Sequence, residues 1–510
     1  MKILIVGGGS AGWMTAATLS KILPDAKLTL IESPNIPIIG VGESTIESVY
    51  EWAQFIGIDV YDFLKHTDGT CKLSIKFTDF YKKGHSFHYP FGKIDISKNL
   101  FENNDWWYKK FVYPETPTSD YAECTLPKQM AYVNKNKFNI KQDYAYHFDA
   151  TKLGIWLREN KCKDVKHIKE HINTIEQDED GIVSLNGKYK ADLYIDCTGF
   201  RSLLLGKALK EPFESYEDLL PNNSAWATRV PYTDKKNQIV NYTNCTAIEN
   251  GWVWRVPLWS RLGTGYVYSD KFISDKDALK EFKNHLKNKE KISNVDKLQY
   301  RNIKTKVGIH KRVWVKNVVA IGLSAGFIEP LEGNGLYAIH EFLRSFARNI
   351  CRGKVSQWDR DNFNYMCKMD FKAFAEFVAL HYTLSHRDDT PYWKANFNKT
   401  WSEKLLTLET EHINGIKRSV EYRRVDNLFP FEGGFHFIAA GMNYSPTEKN
   451  YIDWLSKGKY EKLKKRWLPY IDNMNKRKAQ AIKDVETEPT IYEWLYKNIY
   501  KTKRSAQECI

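Results

Sequence analysis

The sequence has no apolar run long enough to cross a bilayer. A membrane-spanning helix needs about eighteen or more consecutive apolar residues, and no stretch of the 510-residue chain reaches that length. The first residues, MKILIV, lead directly into glycines instead of a cleavable signal. We therefore predict a soluble, cytoplasmic protein that does not bind a membrane.

Paired cysteine motifs are also missing. The eight cysteines are scattered, and none forms a C-x-x-C pair. This spacing argues against a zinc ribbon or a redox dithiol, and it fits a reducing compartment. We predict structural thiols and no metal site.

The chain lacks internal repeats, low-complexity linkers and a nucleic-acid recognition motif. Its formal net charge is +14, but the lysines are spread along the chain and enriched only toward the C-terminus, in KGKYEKLKKRW and NKRKAQAIK. A solvated basic surface accounts for this charge, so nucleic-acid binding is not expected. The hydrophobic content of 42% and aromatic content of 14% are typical of a globular protein with two or three domains.

A glycine-rich turn follows the first apolar run, in KILIVGGGSAGW at residues 2–13. The flanking patterns predict a strand, a helix and a second strand, KLTLIE, which form a β-α-β unit. Gly7, Gly9 and Gly12 match the G-x-G-x-x-G dinucleotide fingerprint, with glycines for a tight turn, close backbone approach to a pyrophosphate, and close helix packing. Glu32 ends the second strand, where a carboxylate can bind the ribose hydroxyls.

Further elements are predicted from the remaining pattern. We expect helices at 46–55 and 60–66, a strand at 72–80, two strands within 183–200, an antiparallel group over 225–270, one strand at 313–322, the helix LYAIHEFLRSFARNI, and a mainly helical chain beyond about 350.

The fingerprint alone does not separate NAD from FAD, but two later segments favour FAD. DCTGFRS at 196–202 closes a strand with an acidic residue, and AIGLSAGFIEPLEGNG at 320–335 reads as a strand, a loop and a helix start. Such a late loop can bring backbone amides to the pyrimidine end of a flavin. No second fingerprint for NADPH is visible in the sequence, so the reducing power is expected from elsewhere.

These motifs resemble those of the flavin-dependent halogenases of the tryptophan halogenase type. The resemblance runs in order through GGGSAGW, GVGESTIESV, the lysine of SIKFTDF, AYHFDATKL, DCTGFRSLL, ENGWVWRVPL with RLGTGYVYS, GFIEPLEGNGL and HRDDTPYWKA. It covers at least residues 1–400. WVWRVP is close to the family signature W-x-W-x-I-P.

The resemblance implies an α/β (α+β) fold: an FAD-binding, Rossmann-like flavoprotein monooxygenase fold of the GR2 type, with an antiparallel substrate-side sheet. We expect an FAD-binding domain over 1–350, with a discontinuous core of 1–45, 180–205 and 310–350. A helical region, 351–510, would cover the substrate site.

The resemblance also implies the partners. FAD would act as FADH2, supplied by a separate flavin reductase through transient or purely diffusive contact, with O2 and a halide ion as co-substrates. The substrate would be a small electron-rich aromatic of the indole or phenol type, free or carrier-bound. A homo-oligomer is left open.

The implied chemistry is that the reduced flavin, O2 and halide yield hypohalous acid, which travels to a lysine. The lysine either hydrogen-bonds this acid or forms a haloamine, and so directs an electrophilic halogen onto the substrate. In this sequence the resemblance assigns that role to Lys76 and a supporting acid-base role to Glu332.

The family pattern assigns further roles. Trp252, Trp254 and Pro257 would shield the flavin from the substrate. Gly333, Asn334 and Gly335 stand where serine, threonine and glycine usually help to hold the halide, so a looser pocket that favours bromide or iodide is expected.

Two larger sets complete the predicted site. The cofactor-binding set is Gly7, Gly9, Ser10, Ala11, Gly12, Glu32, Gly42, Glu43, Ser44, Thr45, Asp196, Gly199, Gly322, Phe327 and Pro330. The candidate substrate-wall residues are His88, Phe91, Trp106, Trp107, Phe435, His436 and Phe437.

Two other functions remain as alternatives. The same fold could belong to an FAD-dependent aromatic monooxygenase, although WVWRVP, Lys76 and the lack of a visible NADPH unit argue against it. The basic charge could instead mark a non-enzymatic protein that binds nucleic acid or another partner on a flavin fold.

Overall fold

The structure is a computed structural model. It describes residues 1–36, 40, 42–46, 48–92, 106, 109–110, 112–351, 354–397, 434–443 and 460–501.

The strands are numbered in chain order. They are β1 (Lys2–Val6), β2 (Lys27–Glu32), β3 (Glu43–Ser44), β4 (Thr70–Lys72), β5 (Ser74–Thr78), β6 (Ser86–Pro90), β7 (Ala145–Phe148), β8 (Lys166–Lys169), β9 (Ile175–Asp178), β10 (Gly181–Leu185), β11 (Leu193–Asp196), β12 (Phe213–Ser215), β13 (Ser224–Val230), β14 (Tyr242–Ile248), β15 (Gly251–Pro257), β16 (Leu262–Tyr268), β17 (Arg301–Lys304), β18 (Gly308–His310), β19 (Trp314–Val315), β20 (Val318–Ala320) and β21 (Gly326–Phe327).

The α-helices are numbered likewise. They are α1 (Ser10–Ile22), α2 (Ser48–Phe55), α3 (Val60–His66), α4 (Asp120–Thr125), α5 (Pro127–Asn134), α6 (Ala150–Asn160), α7 (Lys235–Gln238), α8 (Asp275–Asn288), α9 (Asn334–Ile350), α10 (Gln357–Thr383), α11 (Pro391–Phe397), α12 (Gly434–Gly441), α13 (Tyr460–Asp484) and α14 (Ile491–Leu495).

A six-stranded sheet carries the glycine loop, in the order β19-β20-β11-β1-β2-β8. β1 pairs in parallel with both β2 and β11, and its apolar residues are buried. Burial on both faces explains why KILIV is continuously apolar instead of alternating. The predicted β-α-β unit of β1, α1 and β2 is confirmed, and the first glycine follows β1 directly.

The edge of this sheet differs from the prediction of one strand at 313–322. The structure has two short antiparallel strands there, β19 and β20. Lys316 adopts a φ of 54° between them, and the Asn317 side chain bonds both the amide and the carbonyl of Ile182 at 2.9 Å. The prediction was wrong because the Lys316–Asn317 turn interrupts a sequence that looks like one apolar run.

A second, seven-stranded sheet has the order β17-β13-β16-β15-β14-β5-β6. All neighbours are antiparallel except β14 and β5. The predicted antiparallel group over 225–270 is therefore confirmed as β13 to β16. A small three-stranded sheet, β3-β7-β4, contacts this larger sheet where β4 meets β14.

Beyond Ile350, the described elements are helices, in agreement with the prediction of a helical C-terminal region. The longest, α10, begins at a capping box in which Ser356 and Asp359 satisfy each other's backbone amides, and it packs on α9. Among the described helices, none combines the length and the apolar character that crossing a membrane requires. The domain boundary near residue 350 stays a prediction.

Candidate functional site

A cavity of about 520 Å³ lies at the carboxyl ends of β1 and β2. Apolar side chains such as Val6, Ile31 and Leu336 form part of its wall. The predicted cofactor residues that line it are Gly7, Gly9, Ser10, Ala11, Glu32, Gly42, Glu43, Ser44, Gly199, Phe327 and Pro330.

The glycine loop has the geometry that an anion-binding turn requires. Gly7 adopts a φ of +114°, and a Cβ there would collide with the Cys197 carbonyl. A Cβ on Gly12 would collide with the Gly7 carbonyl, so the helix can approach only because this residue is glycine. Gly9 faces open space at the start of α1, which begins without a side-chain cap. The first amides of α1 are therefore available to a pyrophosphate.

Glu32, at the end of β2, lines the cavity at the position where the sequence predicts a ribose. One carboxylate oxygen is 2.7 Å from Nε2 of His167, and a Cβ on Gly8 would collide with the same carboxylate. His167, on β8, was not predicted, because nothing in its local sequence links it to a residue 135 positions earlier.

Four predicted cofactor residues lie behind the cavity wall: Gly12, Thr45, Asp196 and Gly322. The Asp196 carboxylate accepts hydrogen bonds from the amides of Thr198, Leu204 and Leu205. Asp196 therefore shapes the turn after β11. Together, the anion loop, the ribose-side carboxylate and the apolar walls fit FAD.

The two tryptophans of β15 have different surroundings. Trp254 lines the cavity, and a Cβ on Gly265 would collide with its ring. Trp252 is fully buried, with its Nε1 3.5 Å from the Glu329 carboxylate. The Pro257 side chain does not form part of the cavity wall, whereas its carbonyl accepts a hydrogen bond from Thr70.

The Gly333–Asn334–Gly335 loop lies at the start of α9. Gly333 adopts a φ of +70°, and a Cβ there would be 2.8 Å from the Ser44 carbonyl. Gly333 and Gly335 line the flavin cavity, whereas Asn334 lines a small second cavity beside α10. The positive end of the 17-residue α9 faces the loop, so an anion site fits here.

Lys72, at the end of β4, is fully buried. Its Nζ donates to Ser44 Oγ at 2.7 Å and lies 5.0 Å from the centre of the Phe91 ring. Burial lowers the pKa of Lys72 to about 7, although the nearby Cys245 and Glu332 partly oppose this shift. A lysine with this pKa is available both as an ammonium and as an amine near neutral pH.

Lys76, the predicted lysine, lies four positions later on β5 and is only partly buried. Its Nζ lies 5.9 Å from the centre of the Tyr242 ring. Burial lowers the pKa of Lys76 as well, and Glu332 is not among the causes of that shift. Lys76 pairs across the sheet with His88, whose pKa falls to about 3 through burial and the charge of Lys76.

Glu332 is buried beside His381 of α10. Oε1 of the glutamate and Nε2 of the histidine are 2.9 Å apart, but they are not aligned as a hydrogen bond. His381 Nδ1 contacts the Val378 carbonyl at 3.1 Å and must donate to it, because a carbonyl only accepts. Nε2 of His381 therefore faces the Glu332 carboxyl group across a short, buried contact.

The substrate-wall candidates separate along β6. Phe91 lies beside Lys72, whereas His88 lies on the Lys76 side and bonds Ser74 Oγ at 2.9 Å. Tyr89, which was not among the predicted residues, shares the Phe91 face by period two and stacks on Phe437 with ring centres 5.5 Å apart.

The other candidates have different positions. Trp106 is buried, and its Nε1 donates to Asp120 at 3.0 Å, which fits a structural role. His436 is buried, which lowers its pKa to about 4. Trp107 and the side chain of Phe435 lie outside the described residues.

Glu43 lines the cavity, and its pKa is shifted in a way that the sequence alone does not reveal. Burial, helped by the charge of Asp149, raises the pKa of Glu43 to about 7. A carboxyl in this state can donate as well as accept a hydrogen bond at neutral pH.

The profile of the family described as Tryptophan halogenase matches residues 2–454. The tryptophan 6-halogenase SttH from Streptomyces toxytricini is 32% identical over 472 residues, covering 85% of this chain and 86% of that protein. The tryptophan 7-halogenase RebH from Lentzea aerocolonigenes is 32% identical over 421 residues, covering 78% of each chain.

Solved structures agree with these relationships. The structure titled VirX1 apo structure has a TM-score of 0.85 at 35% identity and covers 98% of this chain and 99% of its own. The crystal structure of SttH has a TM-score of 0.82 at 29% identity, with coverage of 97% and 99%. The predicted FAD-binding, Rossmann-like α/β fold is confirmed. The chain belongs to the tryptophan halogenase family and is a flavin-dependent halogenase.

Proposed function

We propose that this enzyme directs hypohalous acid onto an electron-rich aromatic substrate and that Lys72 is the directing lysine. The observation that carries this assignment is the burial of Lys72 within electrostatic reach of Glu332. The resemblance had assigned the role to Lys76, which lies on the same run, TCKLSIKF, but beside Tyr242 and His88. SttH and RebH are named as tryptophan halogenases, so indoles are the first substrate class to test.

The cavity residues would hold FAD by the contacts described above. Bound reduced FAD, with O2 and halide, supplies hypohalous acid. Trp254, in the cavity wall, would exclude the aromatic substrate from the flavin, while Trp252 supports it from the core at a ring-centre distance of 6.3 Å. We expect a separate flavin reductase to deliver FADH2.

Lys72 and Glu332 would divide the chemistry at the substrate. The Lys72 nitrogen would place the electrophile near the ring of Phe91 in one of two ways. It donates a hydrogen bond to hypohalous acid, or, as an amine, it takes the halogen from that acid, loses one N–H proton and releases water. Glu332 would accept the proton that leaves the aromatic ring, and its contact with His381 provides a second site for that proton.

The lysine assignment is tested by mass spectrometry of aromatic products. Protein, FAD, a flavin reductase and NADH are incubated with a panel of indoles and phenols, in parallel with chloride, bromide or iodide. Lys72→Met should keep FAD binding and flavin oxidation but lower halogenated product roughly 100-fold or more, whereas Lys76→Met should retain product. The opposite pattern would restore the assignment to Lys76. Addition of one oxygen atom would favour the monooxygenase alternative.

The halide site is the second part of the proposal. Gly333 and Asn334 leave the anion site without the serine and threonine side chains usual in the family, and Asn334 lines the second cavity instead. We therefore expect bromide or iodide to be used more readily than chloride. The measurement is the ratio of halogenated products at equal concentrations of two halides. Equal or stronger use of chloride would contradict the proposal.

A further inference from the structure

Lys72 is one end of a continuous series of hydrogen bonds between buried and partly buried side chains. The successive distances are 2.7 Å from Lys72 Nζ to Ser44 Oγ, 2.8 Å to Thr243 Oγ1, 2.8 Å to His147 Nε2, 3.2 Å from His147 Nδ1 to Thr70 Oγ1, and 2.6 Å to the Pro257 carbonyl. Ser44 and Thr243 also line the flavin cavity.

Strand register explains why these side chains meet. His147 of β7 is paired with Ser44 of β3 on one side and with Thr70 of β4 on the other. Side chains at directly opposed positions share one face of a sheet. Lys72 lies two residues after Thr70, on the same face of β4, and Thr243 of β14 closes the chain from the neighbouring sheet.

Donors and acceptors in this series of hydrogen bonds can be assigned in only one consistent direction. The Pro257 carbonyl can only accept, so Thr70 donates to it and accepts from Nδ1–H of His147. A neutral imidazole carries one N–H, so Nε2 is bare and accepts from Thr243. Thr243 then accepts from Ser44, and Ser44 accepts from Lys72.

His147 stays neutral because of its surroundings. Burial, the charge of Lys72 and the charge of Arg255 together lower the pKa of His147 well below its ordinary value. The titratable groups whose charges act on Lys72 are Cys245 and Glu332. The direction of these hydrogen bonds is therefore fixed by the Pro257 carbonyl. The buried His147 does not change protonation near neutral pH and so does not reverse it.

We propose that Ser44, Thr243 and His147 are positioning residues that hold Lys72 as a hydrogen-bond donor to Ser44. The other N–H groups of Lys72, or the lone pair of its amine form, are then free to meet the halogen electrophile. This inference rests on the proposed function of Lys72. One Nζ–H always donates to Ser44. The remaining hydrogens, or the lone pair of the amine, can therefore point in only a few directions. The Pro257 carbonyl of WVWRVP anchors this arrangement, which links that motif to the lysine.

The first test compares Thr243→Val with Thr243→Ser. Valine keeps the shape of threonine but removes the hydroxyl and so interrupts the series of hydrogen bonds, whereas serine keeps the hydroxyl. With bromide as halide and the best aromatic of the panel, Thr243→Val should lose about tenfold in product per hypobromous acid formed, a ratio that does not depend on the rate of FADH2 oxidation. The acid that escapes is measured with a 1,3-diketone trap. Thr243→Ser should restore the product yield.

Thr246→Val is the matched control, since Thr246 lies on the same strand and outside the chain. It should leave the product yield unchanged. Normal product yield in Thr243→Val would overturn the positioning role. If Lys72→Met also keeps its product, the proposed function of Lys72 is wrong instead. Because Thr243→Val could fold poorly, Ser44→Ala is measured in parallel and should show the same loss.

A second readout needs neither flavin nor substrate. The difference in unfolding free energy between the protein and its Lys72→Met variant, followed against pH, reports the pKa of Lys72. Losing the ordered hydroxyls removes favourable dipoles from the ammonium, so this pKa should fall by about one unit in the Thr243→Val background. An unchanged or raised value would overturn the proposal.

Discussion

At the scale of single residues, burial turns Lys72 into a group unlike an exposed lysine. Its pKa of about 7 lies well below the ordinary 10.5. Between these values the unfolded chain binds more protons than the folded protein, so the stability of the fold rises with pH from about 7 to about 10.5. Below pH 7 the cost of the buried charge is fully present.

Lys72→Met should therefore stabilise the protein most below pH 7, by up to about 5 kcal/mol. The gain should shrink as the pH rises and vanish above about pH 10, where lysine is neutral in both states. The measurement is chemical denaturation of both proteins at several pH values. A gain that is constant with pH would contradict the low pKa.

Gly333 gives a second prediction at this scale. Alanine there would have to adopt a φ of +70° and place its Cβ 2.8 Å from the Ser44 carbonyl. We expect Gly333→Ala to lower the free energy of unfolding by about 1–3 kcal/mol and to reduce halide-dependent product.

Gly335→Ala is its control, because Gly335 is helical and a Cβ there meets nothing within 4 Å. It should raise stability by about 0.5–1 kcal/mol. Thermal unfolding of both variants makes the comparison. Equal changes in stability for the two variants would mean that the positive φ at Gly333 does not explain why glycine is needed there.

At the scale of elements, a buried contact between Glu332 and His381 links the start of α9 to the end of α10. Glu332 immediately precedes the loop that starts α9, and His381 lies near the end of α10. The two side chains are buried, and Glu332 Oε1 lies 2.9 Å from His381 Nε2. Removing one partner should therefore be more harmful than removing both.

A double-mutant cycle tests this pairing. His381→Phe should cost about 3–5 kcal/mol, because it leaves the Glu332 carboxylate buried without its partner. In the Glu332→Gln background the same change should cost about 2 kcal/mol less. The measurement is the free energy of unfolding of the four proteins. Additive effects would show that His381 and Glu332 do not interact.

At the scale of the whole molecule, the C-terminal turn supports the region that carries Lys72. The Tyr500 ring stacks on Trp259 with ring centres 4.1 Å apart. Its hydroxyl shares its single hydrogen between the carbonyls of Leu64 and Gly69, which precede β4 and lie 2.9 and 2.8 Å away. A residue near the end of the described chain thus fixes the start of the strand that ends in the buried lysine.

Tyr500→Phe keeps the stacking and removes both hydrogen bonds. We expect a loss of about 1–2 kcal/mol in unfolding free energy. Tyr496→Phe, at a residue that is 44% exposed, serves as the control and should have little effect. Denaturant titration distinguishes them, and equal losses would contradict a specific role for the Tyr500 hydroxyl.

The sequence by itself determined the parts of this protein whose determinants are local. Gly7, Gly9 and Gly12 follow a buried strand and start a helix, so short-range pattern predicted the β-α-β unit and a dinucleotide cofactor. Ordered motifs predicted the family. The turn at Lys316–Asn317 was missed because the chain reverses within an apolar run.

Only the tertiary structure distinguished Lys72 from Lys76. Both lie on one alternating run, and pattern cannot show which is buried. The pKa of Lys72 depends on burial and on charges from Cys245 and Glu332, which are distant in sequence. The chain from Lys72 to Pro257 likewise exists only because strand pairing brings β3, β4, β7 and β14 together. Burial and strand register are properties of the assembled fold, and one short segment does not encode them.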